Sequence, residues 1–227
     1  MIFVADLHMG KGDGSDDFSP EAEEAYLEFL DATRCHQHFI VGDGQELWQA
    51  TRSEVLAAHP RVFTRWSSLC REVTHIPGNH DPDDQRPDRM VVESGGRLIL
   101  VLHGHQFDPV NKTRNGLGRY VTLIVGFLET HVHKDADIWL GNVYASSWLS
   151  EFYNIAERRA AQYDQSVAAL AKELACSAAV YSHTHLPSLN DVDGVLVASC
   201  GCWTKRFAQG YPYVQIVDGS IQLKWWG

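Results

Sequence analysis

Five short motifs rich in acid, imidazole and amide groups occur in order along the chain. They are Asp6-Leu7-His8, Gly42-Asp43-Gly44-Gln45-Glu46, Gly78-Asn79-His80-Asp81, His103-Gly104-His105 and His183-Thr184-His185. Singly each is weak, because an Asp-x-His is ordinarily a surface loop and a His-x-His two strand residues facing one way. Together they offer carboxylates, imidazoles and an amide oxygen, without thiolate. That donor set favours Mn, Fe, Co, Ni or Zn over Mg or Ca, which prefer shells of oxygen alone. Two such ions about 3.5–4 Å apart need a bridging carboxylate, and they clamp the attacking and leaving oxygens of a displacement at phosphorus.

The elements that must position these groups are short apolar runs. Residues 2–5, 38–41, 73–76, 97–102 and 178–181 each read as a buried strand, and each stops at one of the motifs. In sheets with helical crossovers, sites collect at the carboxyl ends of strands, so distant loops can share one rim. Polar groups placed where apolar strands stop are costly to bury unless paired or bound to a metal. Between the strands, Pro20 opens a helix to about residue 33, with Ala22, Ala25, Tyr26, Phe29 and Leu30 on one face. A second helix over 60–72 aligns Val62, Phe63, Trp66 and Leu69. Gly95-Gly96 marks a hairpin, 111–176 reads as mostly helical with 150–174 clearest, and strands over 195–199, 213–217 and 221–226 finish the chain.

With 227 residues the chain is expected to form one domain, 1–227, with the insertion at about 111–176 as a possible lid. Nineteen Lys and Arg against 29 Asp and Glu give a formal charge of −10. That balance argues against an extended nucleic-acid surface, which needs clustered cations, but not against a local anion site, since bound ions reverse the sign there. The partner expected is a small phosphorylated substrate. The apolar stretch 120–128 is a candidate for peripheral membrane contact, with core packing the plainer reading, and the oligomeric state is left open. The amino terminus enters a strand at once and no apolar run spans a bilayer, so a cytoplasmic protein is expected. Five cysteines, odd in number and without a C-x-x-C pair, read as buried reduced thiols.

Across residues 6–185 the motifs resemble those of the calcineurin-like metallophosphoesterase superfamily. The opening Asp6-Leu7-His8-Met9-Gly10 and the short length are similar to its UDP-2,3-diacylglucosamine hydrolase-like members. The resemblance implies an α/β fold, a four-layer α/β/β/α sandwich of two mixed sheets flanked by helices. It implies two divalent transition-metal ions, manganese first, with Fe, Zn, Co and Ni as alternatives. One would be held by Asp6, His8, Asp43 and His185, the other by Asp43, Asn79, His103 and His183, with Asp43 bridging. His80 would stabilise the transition state and protonate the leaving oxygen, Asp81 would orient the His80 ring, and a metal-activated water would attack. Two residues depart from the pattern: Ser182 stands where Gly is usual, and His80 where many diacylglucosamine hydrolases carry Arg.

Around this constellation, His105, Lys112 and Arg114 are candidate contacts for substrate phosphate, and Glu46 is a candidate partner behind a ligand histidine. The expected reaction is hydrolysis of a phosphodiester or pyrophosphate, with a nucleotide-sugar such as UDP-2,3-diacylglucosamine as a named candidate. A cyclic-nucleotide phosphodiesterase, a nuclease and a phosphomonoesterase remain open, as does a catalytically inactive metal-stabilised scaffold.

Overall fold

The computed structural model describes residues 1–108, 149–204 and 206–227, with residues 149–159 described by their main chain only. Among them the strands form two five-stranded sheets. The first has the order β10 (Ser220–Trp226), β9 (Tyr211–Val217), β1 (Ile2–Val4), β2 (His38–Val41) and β3 (Thr74–Ile76). The second runs β4 (Arg89–Ser94), β5 (Arg97–Leu102), β6 (Ala178–Tyr181), β8 (Val195–Ser199) and β7 (Ser188–Val192). Each sheet contains three parallel strands, β1–β2–β3 with β3 at the edge of the first and β5–β6–β8 in the middle of the second, and the remaining strands pair antiparallel. The expected α/β architecture of two mixed sheets holds.

Alternation along the strands builds the layers. Phe3, Ala5, Phe39, Val41 and Ile76 of the first sheet meet Ile99, Val101, Ala178, Val180 and Ala198 of the second in a dry middle layer. Ile2, Val4 and Ile40 point the other way, into Ala22, Tyr26, Phe29 and Leu30 of α1 (Pro20–Ala32), Val55 of α2 (Arg52–Ala58), and Val62 and Trp66 of α3 (Pro60–Ser67). On the far side Leu100, Leu102, Ala179 and Val197 pack on Val167, Ala168 and Ala171 of α4 (Leu149–Glu173). That helix is pinned by buried Asp164, which accepts from the Tyr181 hydroxyl at 2.8 Å and the Asn190 amide at 2.9 Å.

Three local readings change. The helix expected over 60–72 stops at Ser67, where Ser68 and Leu69 turn back onto the Arg65 and Trp66 carbonyls. α2 and β7, absent from the sequence reading, are a seven-residue helix closed by a Thr51–Glu54 capping box and a largely exposed edge strand. The cysteines are not uniformly buried: Cys176, Cys200 and Cys202 are, but Cys35 and Cys70 are exposed. The possible lid at about 111–176 falls largely outside the described residues, as does the apolar stretch 120–128.

The loop after β1 is tied to the helices by His59, at the junction of α2 and α3. Its Nδ1 donates to Glu23 at 2.7 Å and its Nε2 to Asp16 at 2.9 Å, so both nitrogens carry hydrogen. Burial disfavours that charge, yet the two carboxylates outweigh it and hold the imidazolium pKa above its ordinary value. Asp16 in turn accepts from the main chain of Gly10, Gly12 and Phe18, folding the loop that follows His8. His59→Ala, which leaves two partly buried carboxylates facing each other, is expected to cost about 1–3 kcal/mol near pH 6 in urea unfolding. Because the folded pKa is raised, the stabilisation is full below the unfolded value and fades as pH rises through the folded one. A mutational cost that grew from pH 6 to pH 9 would refute this assignment.

Candidate metal centre

The motif loops leave the carboxyl ends of β1, β2, β3, β5 and β6, all of them parallel strands, and main-chain bonds stitch them together. Asp6 N donates to Gly42 O at 3.2 Å, His8 N to Asp43 O at 2.9 Å, Ser182 N to His103 O at 2.9 Å, and Trp203 N to Asp6 O at 3.1 Å. Holding side chains inward from such tight turns strains the backbone. Asp6, His8, Asp43, His183 and His185 all sit at left-handed φ, between 47° and 74°, which costs non-glycine residues energy and clusters at functional sites. Glycines permit the close approach. A Cβ on Gly42 would come within 2.3 Å of the His103 ring, and one on Gly78 within 2.1 Å of an Asp43 oxygen.

These loops bring Asp6, His8, Asp43, Asn79, His103, His183 and His185 together. Donor atoms of Asp6, His8 and His185 lie within 4.8 Å of one another, and so do those of Asp43, His103 and His183. Asp43 Oδ2 stands between the groups, 3.1 Å from His103 Nε2 and 3.9 Å from His8 Nε2. Asn79 Oδ1 is 3.2 Å from the same His103 nitrogen. His103 donates its other ring hydrogen to Val41 O at 2.9 Å, a bond that turns Nε2 toward Asp43. Asp6 Oδ1 and His8 Nε2 are buried and make no well-formed hydrogen bond, although Asp6 Oδ1 lies 3.3 Å from His185 Nε2 and 3.6 Å from His8 Nε2. An anionic oxygen and an imidazole nitrogen orphaned side by side fit a cation, and the nitrogen and oxygen donors fit a divalent transition metal.

The electrostatics agree. Burial opposes charge throughout, yet the pKa of Asp6 is held far below the carboxylate range by His185, His8 and His103, and that of Asp43 by His103, His80 and His8. Against the same burial, Asp43 lifts His103 to about 9 and Asp6 lifts His185 to about 10. The two carboxylates thus draw positive charge into the centre of the rim.

Other side chains occupy unexpected roles. Asp81 does not orient His80. Its carboxylate accepts main-chain hydrogens from Gly78, Asp43, Gly44 and Gln45 at 2.8–3.3 Å, binding the β2 and β3 loops together. The His80 ring instead donates Nδ1–H to Glu46 Oε2 at 2.5 Å and stacks on Trp48, with ring centres 3.7 Å apart. The same Glu46 oxygen takes the Nδ1 hydrogen of His8 at 3.1 Å. Burial raises the Glu46 pKa, but the two rings pull it down to about 2. Trp48 was legible only as an apolar residue after the second motif. Ser182 has a specific use, since its hydroxyl lies against Asp6 Oδ2 and, at 2.9 Å, Gly201 O.

His105 lies half-buried beside the centre, its ring 5.4 Å from that of His103, and burial with the His103 charge lowers its pKa to about 4. His183 Nε2 meets Asp108 at 3.0 Å, a contact the motifs did not signal. Lys112 and Arg114 lie outside the described residues.

No family model and no curated protein matches the chain. Among solved structures, Vps29 of Chaetomium thermophilum is 14% identical over 98% of this chain and 84% of its own, with a TM-score of 0.51. The chain shares the fold of that protein. Two other solved structures of lower TM-score are the phosphoesterase YfcE of E. coli and a predicted phosphoesterase of Streptococcus pneumoniae. YfcE is 17% identical over 100% of this chain and 98% of its own, with a TM-score of 0.48. The streptococcal protein is 18% identical over 98% and 85%, with a TM-score of 0.44. At such identities the likeness is one of fold alone.

Ion binding to this rim should be coupled to protons. With His103 and His185 lifted to about 9 and 10, both carry a proton at neutral pH in protein stripped of metal, and an ion must displace it. Apparent affinity for Mn or Zn is therefore expected to rise from pH 6 to pH 9, with protons released from His8, whose pKa is also raised, as well as from His103 and His185. Calorimetry in buffers of different ionisation enthalpy reads both quantities, and an affinity flat across that range would contradict the assignment.

Proposed function

We propose that the chain is a metal-dependent phosphoesterase that holds two divalent ions and hydrolyses a phosphodiester or pyrophosphate bond. The observation that carries this reading is the pair of three-donor groups, Asp6–His8–His185 and Asp43–His103–His183, with the Asp43 carboxylate reaching toward both. Asp6, His8, Asp43 and His185 would hold one ion, and Asp43, Asn79, His103 and His183 the other. When bound, the ions supply an acidified water and neutralise charge on the phosphoryl oxygens.

The chain's own groups do the rest. Glu46 takes the His80 Nδ1 hydrogen, so Nε2 is the nitrogen free to face substrate, and the Trp48 ring fixes the plane of the imidazole. Only 14% of the His80 side chain is exposed, enough for contact with a bound phosphate while most of the ring stays packed. His80 thereby donates to a phosphoryl oxygen as charge develops and delivers a proton to the leaving oxygen. His105, whose ring lies 5.4 Å from that of His103, would contact a second phosphoryl oxygen.

Bis(p-nitrophenyl) phosphate and p-nitrophenyl phosphate, offered with Mn, Co, Zn and Mg in turn, test the reaction class. Turnover is expected with Mn, and faster on the diester. His80→Ala should keep its metal and lose about 10²–10⁴ in rate, whereas Asp43→Asn should lose metal and turnover together. A chain that takes up no transition ion, or a His80→Ala variant as active as the parent, refutes the scheme. For the specific substrate we propose UDP-2,3-diacylglucosamine, on the strength of Asp6-Leu7-His8-Met9-Gly10. The manganese-loaded protein should then release UMP from it, and no release alongside diester turnover would remove that substrate alone.

A further inference from the structure

The two exposed cysteines are the feature that the phosphoesterase reading does not use. Cys35 follows the end of α1 and Cys70 the end of α3, and their sulfurs are 2.7 Å apart, well inside van der Waals contact. The packing of the two helices sets up that approach. Arg61 pairs with Glu24 at 2.9 Å and Arg65 with Asp31 at 3.1 Å, while Trp66 Nε1 donates to the Tyr26 hydroxyl at 3.2 Å. At the end of this seam Cys70 N donates to Arg34 O at 3.0 Å. A main-chain bond one residue from Cys35 fixes the backbones at a separation that a disulfide spans. The sulfurs thus meet because two elements are already docked, not because two long side chains happen to reach.

We propose that Cys35 and Cys70 form a reversible disulfide, written and erased by low-molecular-weight disulfides and thiols of the glutathione class. One protein thiolate attacks the small disulfide, forming a mixed disulfide and releasing one small thiol. The second protein sulfur then attacks the mixed disulfide at the protein sulfur and releases the other. Two protein thiols and one small disulfide become one protein disulfide and two small thiols, a transfer of two electrons. Both sulfurs are exposed, so reagent reaches them, whereas Cys176, Cys200 and Cys202 are buried and stay out of the exchange. The bond closes the loop between residues 35 and 70, which includes β2, α2, α3 and the segment bearing Asp43, Glu46 and Trp48. Constraining that loop in the unfolded chain stabilises the fold without moving a group in the metal centre.

The full chain, treated with oxidised glutathione and then unfolded under acid, should titrate as three thiols instead of five. Its mass should fall by two hydrogens, and proteolysis should yield a peptide linking Cys35 to Cys70. The melting temperature should rise by about 5 °C or more over the reduced form and return on adding dithiothreitol. Cys35→Ser should show neither the linked peptide nor the shift, while melting like the reduced parent. Stable glutathione adducts on a single cysteine, links between two chains, or five thiols surviving excess oxidant would each overturn the proposal.

Discussion

Asp6 and Asp43 are both buried, both ionised, and both aimed into one small volume at the ends of adjacent parallel strands. Two desolvated like charges in such proximity are tolerated only if positive charge stands between and around them. The rest of the rim answers that demand. Four imidazoles encircle the pair, and the two carboxylates favour the protonated form of His8, His103 and His185. Hydrogen bonds from Ser182 and from the main chain of His80 and His183 hold the carboxylates in place. A structure assembled to keep two anions apart and yet adjacent is a structure assembled around cations.

The fold supplies the rigidity for this. Three parallel strands in each sheet end at the same rim, and a close-packed apolar cluster between the sheets fixes the strands that carry it. Left-handed backbone at five of the candidate ligands stores strain that only such a frame can hold. Asp81, with four main-chain hydrogens on one carboxylate, locks the β2 loop, which carries left-handed Asp43, to the β3 loop.

Much of this was legible in the residues, because each apolar run stops abruptly at a polar motif, and that break is a signal of burial meeting chemistry. The parallel strands announced themselves through Ile2–Val4, His38–Val41 and Ala178–Tyr181, apolar on both faces as doubly covered strands must be. β7 hid because Ser188–Val192 is a largely exposed edge strand with little apolar alternation to mark it. α2 hid because seven residues carry too little periodicity, although its Thr51-x-x-Glu54 capping box was present to be read. Asp81 was misassigned for a different reason. Adjacency to His80 in sequence suggests contact, but the turn sends the carboxylate back toward the main chain of Asp43. The partner that does touch His80 lies 34 residues earlier, and no local pattern encodes that distance.

Glu46 Oε2 receives hydrogens from two rings at once, one belonging to the proposed ion cage and the other to the proposed proton donor. A single oxygen atom shared in this way couples the two rings: a displacement of His8 that moved Glu46 Oε2 would also move the acceptor of His80. On the proposed function, loading the cage and setting the attitude of the proton donor would be one event rather than two. Damage at Glu46 would accordingly blur the usual division between variants that fail to hold metal and variants that fail to turn over.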